Sequence, residues 1–382
     1  MPRSLIIDTD PGVDDALAIS LALNSPECDL KLISLCFGNC DTNASLRNVE
    51  TLFSVFERER VWREQQGLPS KHHVNQKPIV AVGMDTALDG TRLDATYFHG
   101  DDGLGNVHTK MPEFTSTDKN GPGYTFSDKP SYQVILDLLR EEPDKSVTIA
   151  AIGPLMNIAR AAQIDPDTFS RVKEIVHMGG ALKVPGNVTP RAEFNCYSDP
   201  LAAAVVYSFS ATEQPCVTLP PRKEFHVTLP RPVPVTIFPL DITMEHNLYE
   251  NQFFTAVSDR AAAGSPLTVW SSVWLQSTFD TFRRLNVDCS DVHINMHDPL
   301  ATWYAICGDE HGAWESHDQD VRVETEGQWS RGVTIEDDRG RQKTDAEAED
   351  DGKWLGRGGN HVKVVTKAPV EVGQLLVERI YV

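Results

Sequence analysis

The chain has no Cys-x-x-Cys pair. Its seven cysteines, at positions 28, 36, 40, 196, 216, 289 and 307, are scattered and odd in number, which argues against a disulfide framework. No segment approaches the roughly 20 apolar residues of a membrane helix. Ahead of Asp8 there is Arg3 but no apolar stretch of signal-peptide length, so cytoplasmic residence is expected. Basic clusters with interleaved aromatics are missing too. Acidic residues outnumber basic ones 55 to 35, for a formal charge of -20, which disfavours nucleic acid and anionic membranes as partners. There is no internal repeat. What is present is a 40% apolar fraction over 382 residues, enough for a real core.

Strand-helix alternation fills the first two-thirds. Strands are expected at Leu5–Asp8, Leu30–Phe37, Ile79–Val82, Val147–Ile152, Val172–Met178 and Val233–Leu240. Helices are expected at Asp14–Asn24, Ala44–Arg58, Tyr132–Glu141 and Leu155–Ala162, and from Asp199-Pro200 to Tyr207, with aspartate as N-cap and proline at the first helical position. This rhythm predicts an α/β fold with a mainly parallel, Rossmann-like open sheet and helices on both faces. Helical patterns return at Asn251–Ala263 and Val269–Leu285, and Val362–Val365 and Leu375–Ile380 read as closing elements. Residues 59–77, 111–130 and 212–232 break the rhythm and read as surface insertions of a single domain. Residues 337–360 are charged and glycine-rich and are expected to be mobile.

The chemistry concentrates at Asp8-Thr9-Asp10-Pro11-Gly12-Val13-Asp14-Asp15. Carboxylates at this density are tolerable only in open water or around a cation. Strand, tight turn and helix put them at a strand's carboxyl end, where open α/β sheets form their ligand crevice. Asp14 and Asp15 could simply cap a helix, but Asp8 and Asp10 add two more acids, and an all-oxygen set suits Ca²⁺ or Mg²⁺. Asn39 ends the second strand, where it is either a turn residue or a contact for a polar ligand. His99 lies in a glycine-flanked loop, and a lone histidine is more often structural. After Met178-Gly179-Gly180 come Asn187 and Glu193-Phe194-Asn195, able to hydrogen-bond a polyhydroxylated ligand or to form an ordinary loop. His297-Asp298-Pro299 precedes a helix. Asp298 is either its cap or a further metal oxygen, and His297 could then donate a proton.

In order along residues 4–310, these motifs resemble the inosine-uridine nucleoside hydrolase family. The first motif matches its N-terminal signature, and Phe37-Gly38-Asn39, His99-Gly100, Gly153-Pro154-Leu155 with Asn157, Met178-Gly179-Gly180, Asn187, Glu193-Phe194-Asn195 and His297-Asp298-Pro299 follow in the family's sequence. Val321–Asp337 resembles its late strand pair. The resemblance implies a nucleoside hydrolase fold and a Ca²⁺ bound by Asp10, Asp15, Asp298 and the backbone carbonyl of Ile152. The family usually has threonine at the last position, and a carbonyl ligand tolerates the change. It implies that Asp14, Asn39, Met178, Asn187, Glu193, Phe194 and Asn195 hold the ribonucleoside. Asp10 would be general base on a calcium-bound water, His297 the acid for the leaving base, and His99 its neighbour. A homodimer or homotetramer is implied as well. Having both histidines resembles the broader or pyrimidine-leaning branch. Trp270, Trp274, Phe279 and Phe282 could border the base pocket, although such a stripe is more often core.

Two other readings compete. Leu5-Ile6-Ile7-Asp8-Thr9-Asp10 imitates the strand-ending Asp-x-Asp nucleophile of a haloacid dehalogenase-type phosphatase. A nucleoside-binding protein with a decayed hydrolase site would share the same motifs.

Overall fold

The computed structural model describes residues 2–382 apart from 214, 215, 217, 286–290, 310–312, 342–349, 351 and 355–357. Thirteen strands are described. They are β1 (Arg3–Thr9), β2 (Cys28–Leu35), β3 (Ile79–Val82), β4 (Thr125–Ser127), β5 (Val147–Ala151), β6 (Glu174–Met178), β7 (Val235–Phe238), β8 (Asn247–Tyr249), β9 (His293–Asn295), β10 (Glu315–Gln319), β11 (Arg322–Val323), β12 (Thr334–Ile335) and β13 (Val362–Lys367). Nine of these form one sheet in the order β10-β13-β7-β6-β5-β1-β2-β3-β4. Every pairing in it is parallel except β10 with β13. The mainly parallel α/β sheet expected from the sequence is therefore present.

Both faces are covered. Along β1, Leu5 and Ile7 belong to one buried cluster and Ile6 to the other. On β5, Ala150 joins the first cluster while Ile149 and Ala151 join the second. This is the two-residue alternation of a strand buried on both sides. The helices Val13–Leu23, Thr42–Gln65 and Pro266–Leu285 pack on the first face, and Ser131–Glu141, Met156–Ile164 and Pro200–Ser208 on the second. Each fully buried branched side chain in these layers contributes about 1.5–3 kcal/mol.

Chain order reverses between β1 and β5. From β1 the chain steps outward through β2, β3 and β4, then returns to β5 on the other side. The carboxyl ends of β1 and β5 thus flank a topological switch point, the ordinary position for a ligand crevice.

Two stretches expected as insertions carry regular structure. The helix expected over 44–58 runs on to Gln65. Its polar extension is held by Glu59 and Arg63, both buried and paired one helical turn apart. Glu59 also accepts from the Ser265 hydroxyl and the Leu267 N–H. Within 111–130, Thr125–Ser127 is the edge strand of the sheet, too short for alternation to reveal. Residues 218–232 carry one 3-10 turn, Lys223–Phe225. In the 337–360 segment, residues 342–349, 351 and 355–357 lie outside the described residues, and so does Cys289. No helix among the described residues is long and apolar enough to cross a membrane.

Candidate active site

Four carboxylates converge where β1 ends. Oxygens of Asp14, Asp15 and Asp298 lie within 4.8 Å of one another. Asp10 completes the group electrostatically, because its charge raises Asp298 and is itself opposed by Asp15 and Asp14. The trio in mutual contact contains Asp14 where the sequence suggested Asp10. Asp10 stands one step back: Oδ2 accepts the Asn39 N–H at 2.6 Å, while Oδ1 is buried with no hydrogen-bond partner among the described residues.

Local chemistry fixes these positions. Asp15 accepts from the Thr9 hydroxyl at 2.5 Å, the Gly12 N–H at 3.0 Å and the Asn39 side-chain amide at 2.8 Å. It therefore closes the helix start and faces the cluster together. Asp298 does not cap its helix. The N-cap of His297–Cys307 is Met296, which leaves the Asp298 carboxylate in the first turn and buried.

Loss of hydration pushes Asp14 up to about 8, with Asp15 adding to the rise. Asp10, Asp15 and Asp298 are raised for the same reason, chiefly desolvation, and for Asp10 and Asp298 then repulsion from neighbouring carboxylates. No lysine or arginine among the described residues lines the adjoining cavity. Buried like charges of this kind are stable when a cation joins them. Acidic oxygens, an orphaned Asp10 oxygen and a nearby backbone carbonyl fit a hard divalent ion.

A cavity of about 570 Å³ opens beside the cluster. Its polar lining includes Asp14, Asn39, Asn187, Glu193 and Asn195, with Ile152 beside them. Met178 and Phe194 line it too. Asn195 donates its side-chain amide to the carbonyls of Ile152 (3.1 Å) and Met178 (3.0 Å), which ties the ends of β5 and β6 together. Asn187 accepts the Phe194 N–H, leaving its amide hydrogens available. The Glu193 carboxylate caps the short helix Phe194–Ser198 and accepts from the N–H groups of Gly180, Asn195 and Cys196.

The lining also includes Tyr97, Phe98, His99, Phe282, Leu285, His293, Asn295 and His297. His99 accepts the Val13 N–H through Nδ1, and desolvation plus His297 lowers it to about 3. His297 is lowered to about 4 by desolvation, and its Nδ1 is 2.7 Å from the Thr243 hydroxyl. Of the four aromatics on the late helix, Trp270, Trp274 and Phe279 are core and only Phe282 lines the cavity.

Of the residues singled out in the sequence, Asp10, Asp14, Asp15, Asp298, Asn39, Asn187, Asn195, His99, His297 and Glu193 lie in the cluster or along the cavity, with Ile152, Met178 and Phe194, whereas Trp270, Trp274 and Phe279 do not. Sequence reasoning missed Tyr97, Phe98, His293 and Asn295 at the cavity, and Thr243 behind His297. His293 and Asn295 share a strand face two residues apart, a signal hidden by the brevity of β9. The phosphatase reading fails on geometry. Its nucleophile, Asp8, is fully buried, accepts from Ser34 and Asn157, and does not line the cavity.

The family model for the inosine-uridine preferring nucleoside hydrolases matches residues 5–371. The chain belongs to that family. A probable uridine nucleosidase 2 from Arabidopsis thaliana is 36% identical over 210 residues, 55% of this chain and 57% of the relative. The chain thus spans little more than half the length of that relative. The pyrimidine-specific ribonucleoside hydrolase RihA of Salmonella arizonae is 29% identical over 88% of this chain and 89% of its own. A solved plant nucleoside hydrolase superposes with a TM-score of 0.71 at 27% identity, covering 100% of this chain and 99% of that one.

Proposed function

We propose that this nucleoside hydrolase cleaves the N-glycosidic bond of ribonucleosides to give free base and ribose. The observation that carries the reading is one cavity, beside a carboxylate cluster, that is lined together by carboxylates, amide groups and imidazoles. The cation would be Ca²⁺, held by Asp15 and Asp298 with Asp10 or Asp14 and the Ile152 carbonyl. Bound there, it supplies charge neutralisation and a grip on vicinal ribose hydroxyls.

The chain's own groups divide the remaining work. Asn39, Asn187 and Asn195 each keep a polar atom not used in the bonds above, and these hold the sugar hydroxyls. Asp10 Oδ1, without a hydrogen-bond partner among the described residues, takes the proton from the water that attacks the anomeric carbon. Positive charge developing on the ribose is stabilised by Asp14 and Glu193. His297 meets the departing base. Thr243 donating to Nδ1 leaves the hydrogen of the neutral ring on Nε2, where it hydrogen-bonds the departing base; outright proton transfer uses the imidazolium, so that the ring returns to neutral. Relatives named as a probable uridine nucleosidase and a pyrimidine-specific ribonucleoside hydrolase support a pyrimidine-accepting site. The reading includes a homodimer or homotetramer in the cytoplasm serving nucleoside salvage.

A panel of ribosides and 2′-deoxyribosides, scored for free base and free sugar with Ca²⁺ present, tests this. Hydrolysis of ribosides with poor use of the deoxy forms is expected. Binding without turnover would instead support the decayed-site alternative.

A further inference from the structure

β9 borders the cavity, and His293, Ile294 and Asn295 all line it. His293 and Asn295 are two positions apart and share one face of the strand. Two backbone carbonyls fix their polar atoms. His293 Nδ1 is 2.8 Å from the Asp291 carbonyl, which only accepts, so Nδ1 carries the hydrogen. In the neutral ring Nε2 then holds a lone pair. Asn295 Nδ2 donates to the Met244 carbonyl at 3.2 Å and to Asn247 Oδ1 at 2.8 Å. The carbonyl of Met244 excludes the flipped amide, so Oδ1 is the atom left over. Neither His293 Nε2 nor Asn295 Oδ1 has a hydrogen bond among the described residues. The ring of His293 is itself packed between Phe282, at 4.6 Å, and Tyr249, at 5.6 Å. The cavity therefore has two acceptors on a braced strand, with donors turned away.

We propose that His293 Nε2 and Asn295 Oδ1 read the leaving base, selecting ribonucleosides whose base presents N–H donors on the edge remote from the sugar. Uracil offers its imide N–H there, and cytosine and adenine their amino groups. This inference rests on the hydrolase reading above. A base without such a donor leaves both acceptors unpaired, and an unpaired polar group in a substrate cavity is what makes a site reject an analogue.

The test compares uridine with 3-methyluridine, and adenosine with purine riboside, in mildly alkaline buffer that keeps imidazoles neutral. The first pair removes a donor by methylation; the second removes one without adding bulk. In the unaltered protein kcat/KM should favour the donor-bearing partner of each pair by about tenfold or more. In His293→Phe, which keeps the ring packing, and in Asn295→Ala, each ratio should fall at least about threefold. Dividing variant by wild-type ratios cancels differences in leaving-group chemistry. Ratios unchanged in both variants overturn the proposal. If no riboside is cleaved, the hydrolase reading fails by itself, and the same ratios taken from dissociation constants decide the acceptor pair.

Discussion

Asn157 reaches from the helix after β5 and donates to Asp8 Oδ1 at 2.9 Å, across the two central strands of the sheet. The same amide donates to the Leu35 carbonyl at 3.1 Å, and its oxygen accepts the Met84 N–H at 2.8 Å. One side chain thereby joins β1 to the ends of β2 and β3, two residues before Asp10 in the chain.

Replacing Asn157 by leucine keeps the volume and removes every one of those bonds. Asp8 would retain only the Ser34 hydroxyl on Oδ1, with Oδ2 already lacking a partner. A loss of about 2–4 kcal/mol is expected, the cost of stripping a donor from a buried acid. Urea unfolding monitored by circular dichroism measures it. A change below about 1 kcal/mol would mean that the hub is dispensable.

Two glycines hold the space that Asp10 occupies. A Cβ on Gly153 would stand 2.5 Å from Asp10 Oδ1, and one on Gly38 2.0 Å from Oδ2. Gly153→Ala must therefore turn the carboxylate. Overpacking of this kind costs about 1–3 kcal/mol in stability. Misplacing a reacting group by an ångström costs about a hundredfold in rate. We expect kcat to fall by that order while the protein still folds. Full activity in a folded Gly153→Ala protein would remove Asp10 from the reaction.

The fold was legible because its strands are short apolar runs separated by capped helices, and a buried parallel sheet leaves that mark. Asp199-Pro200 opens its helix as expected, with the Asp199 carboxylate accepting the Ala202 N–H. The carboxylate cluster was legible for a related reason: four carboxylates in eight residues have few uses. Part of the cavity lining was not. Tyr97, Phe98, His293 and Asn295 come from a four-residue helix and a three-residue strand, where periodicity carries no information. The polar extension of the second long helix was hidden because Glu59 and Arg63 are buried as a pair, and composition alone reads them as surface. Asp298 was open to two readings, cap or metal oxygen, because an acid before a proline suits a helix start; its carboxylate turns to other aspartates and Met296 takes the cap position.

His297 faces the leaving base, so its importance should depend on that base. His297→Ala is expected to slow uridine by about 10²–10⁴. An aryl riboside with an activated leaving group needs no proton and should lose less than about tenfold. Thr243→Val should reproduce part of the uridine defect, since it removes the hydroxyl that sets the tautomer. Equal losses on both substrates would count against an acid role.

Metal removal should expose the cost of the carboxylate cluster, in a pH window fixed by its own acids. Folding raises Asp14 from 3.8 to about 8 and Asp8 from 3.8 to about 7. Unfolded chains release these protons near pH 3.8, so between there and about 8 the folded state binds more of them. Stability contributed by these groups is therefore complete at low pH and is lost as pH rises through the folded values. His99 and His297 work the other way, since folding lowers them to about 3 and about 4. They are neutral in both states above about pH 6.5 and drop out there. In chelator, the melting temperature should fall from about pH 6.5 to 8, and Asp14→Asn should flatten that slope. Calcium binds the ionised set, so its stabilisation should grow over the same interval, reaching about 2.7 kcal/mol at a hundredfold excess over Kd. Asp298→Asn should lose most of the calcium increment. A chelator slope identical in wild type and Asp14→Asn would show that the cluster is not the titrating element.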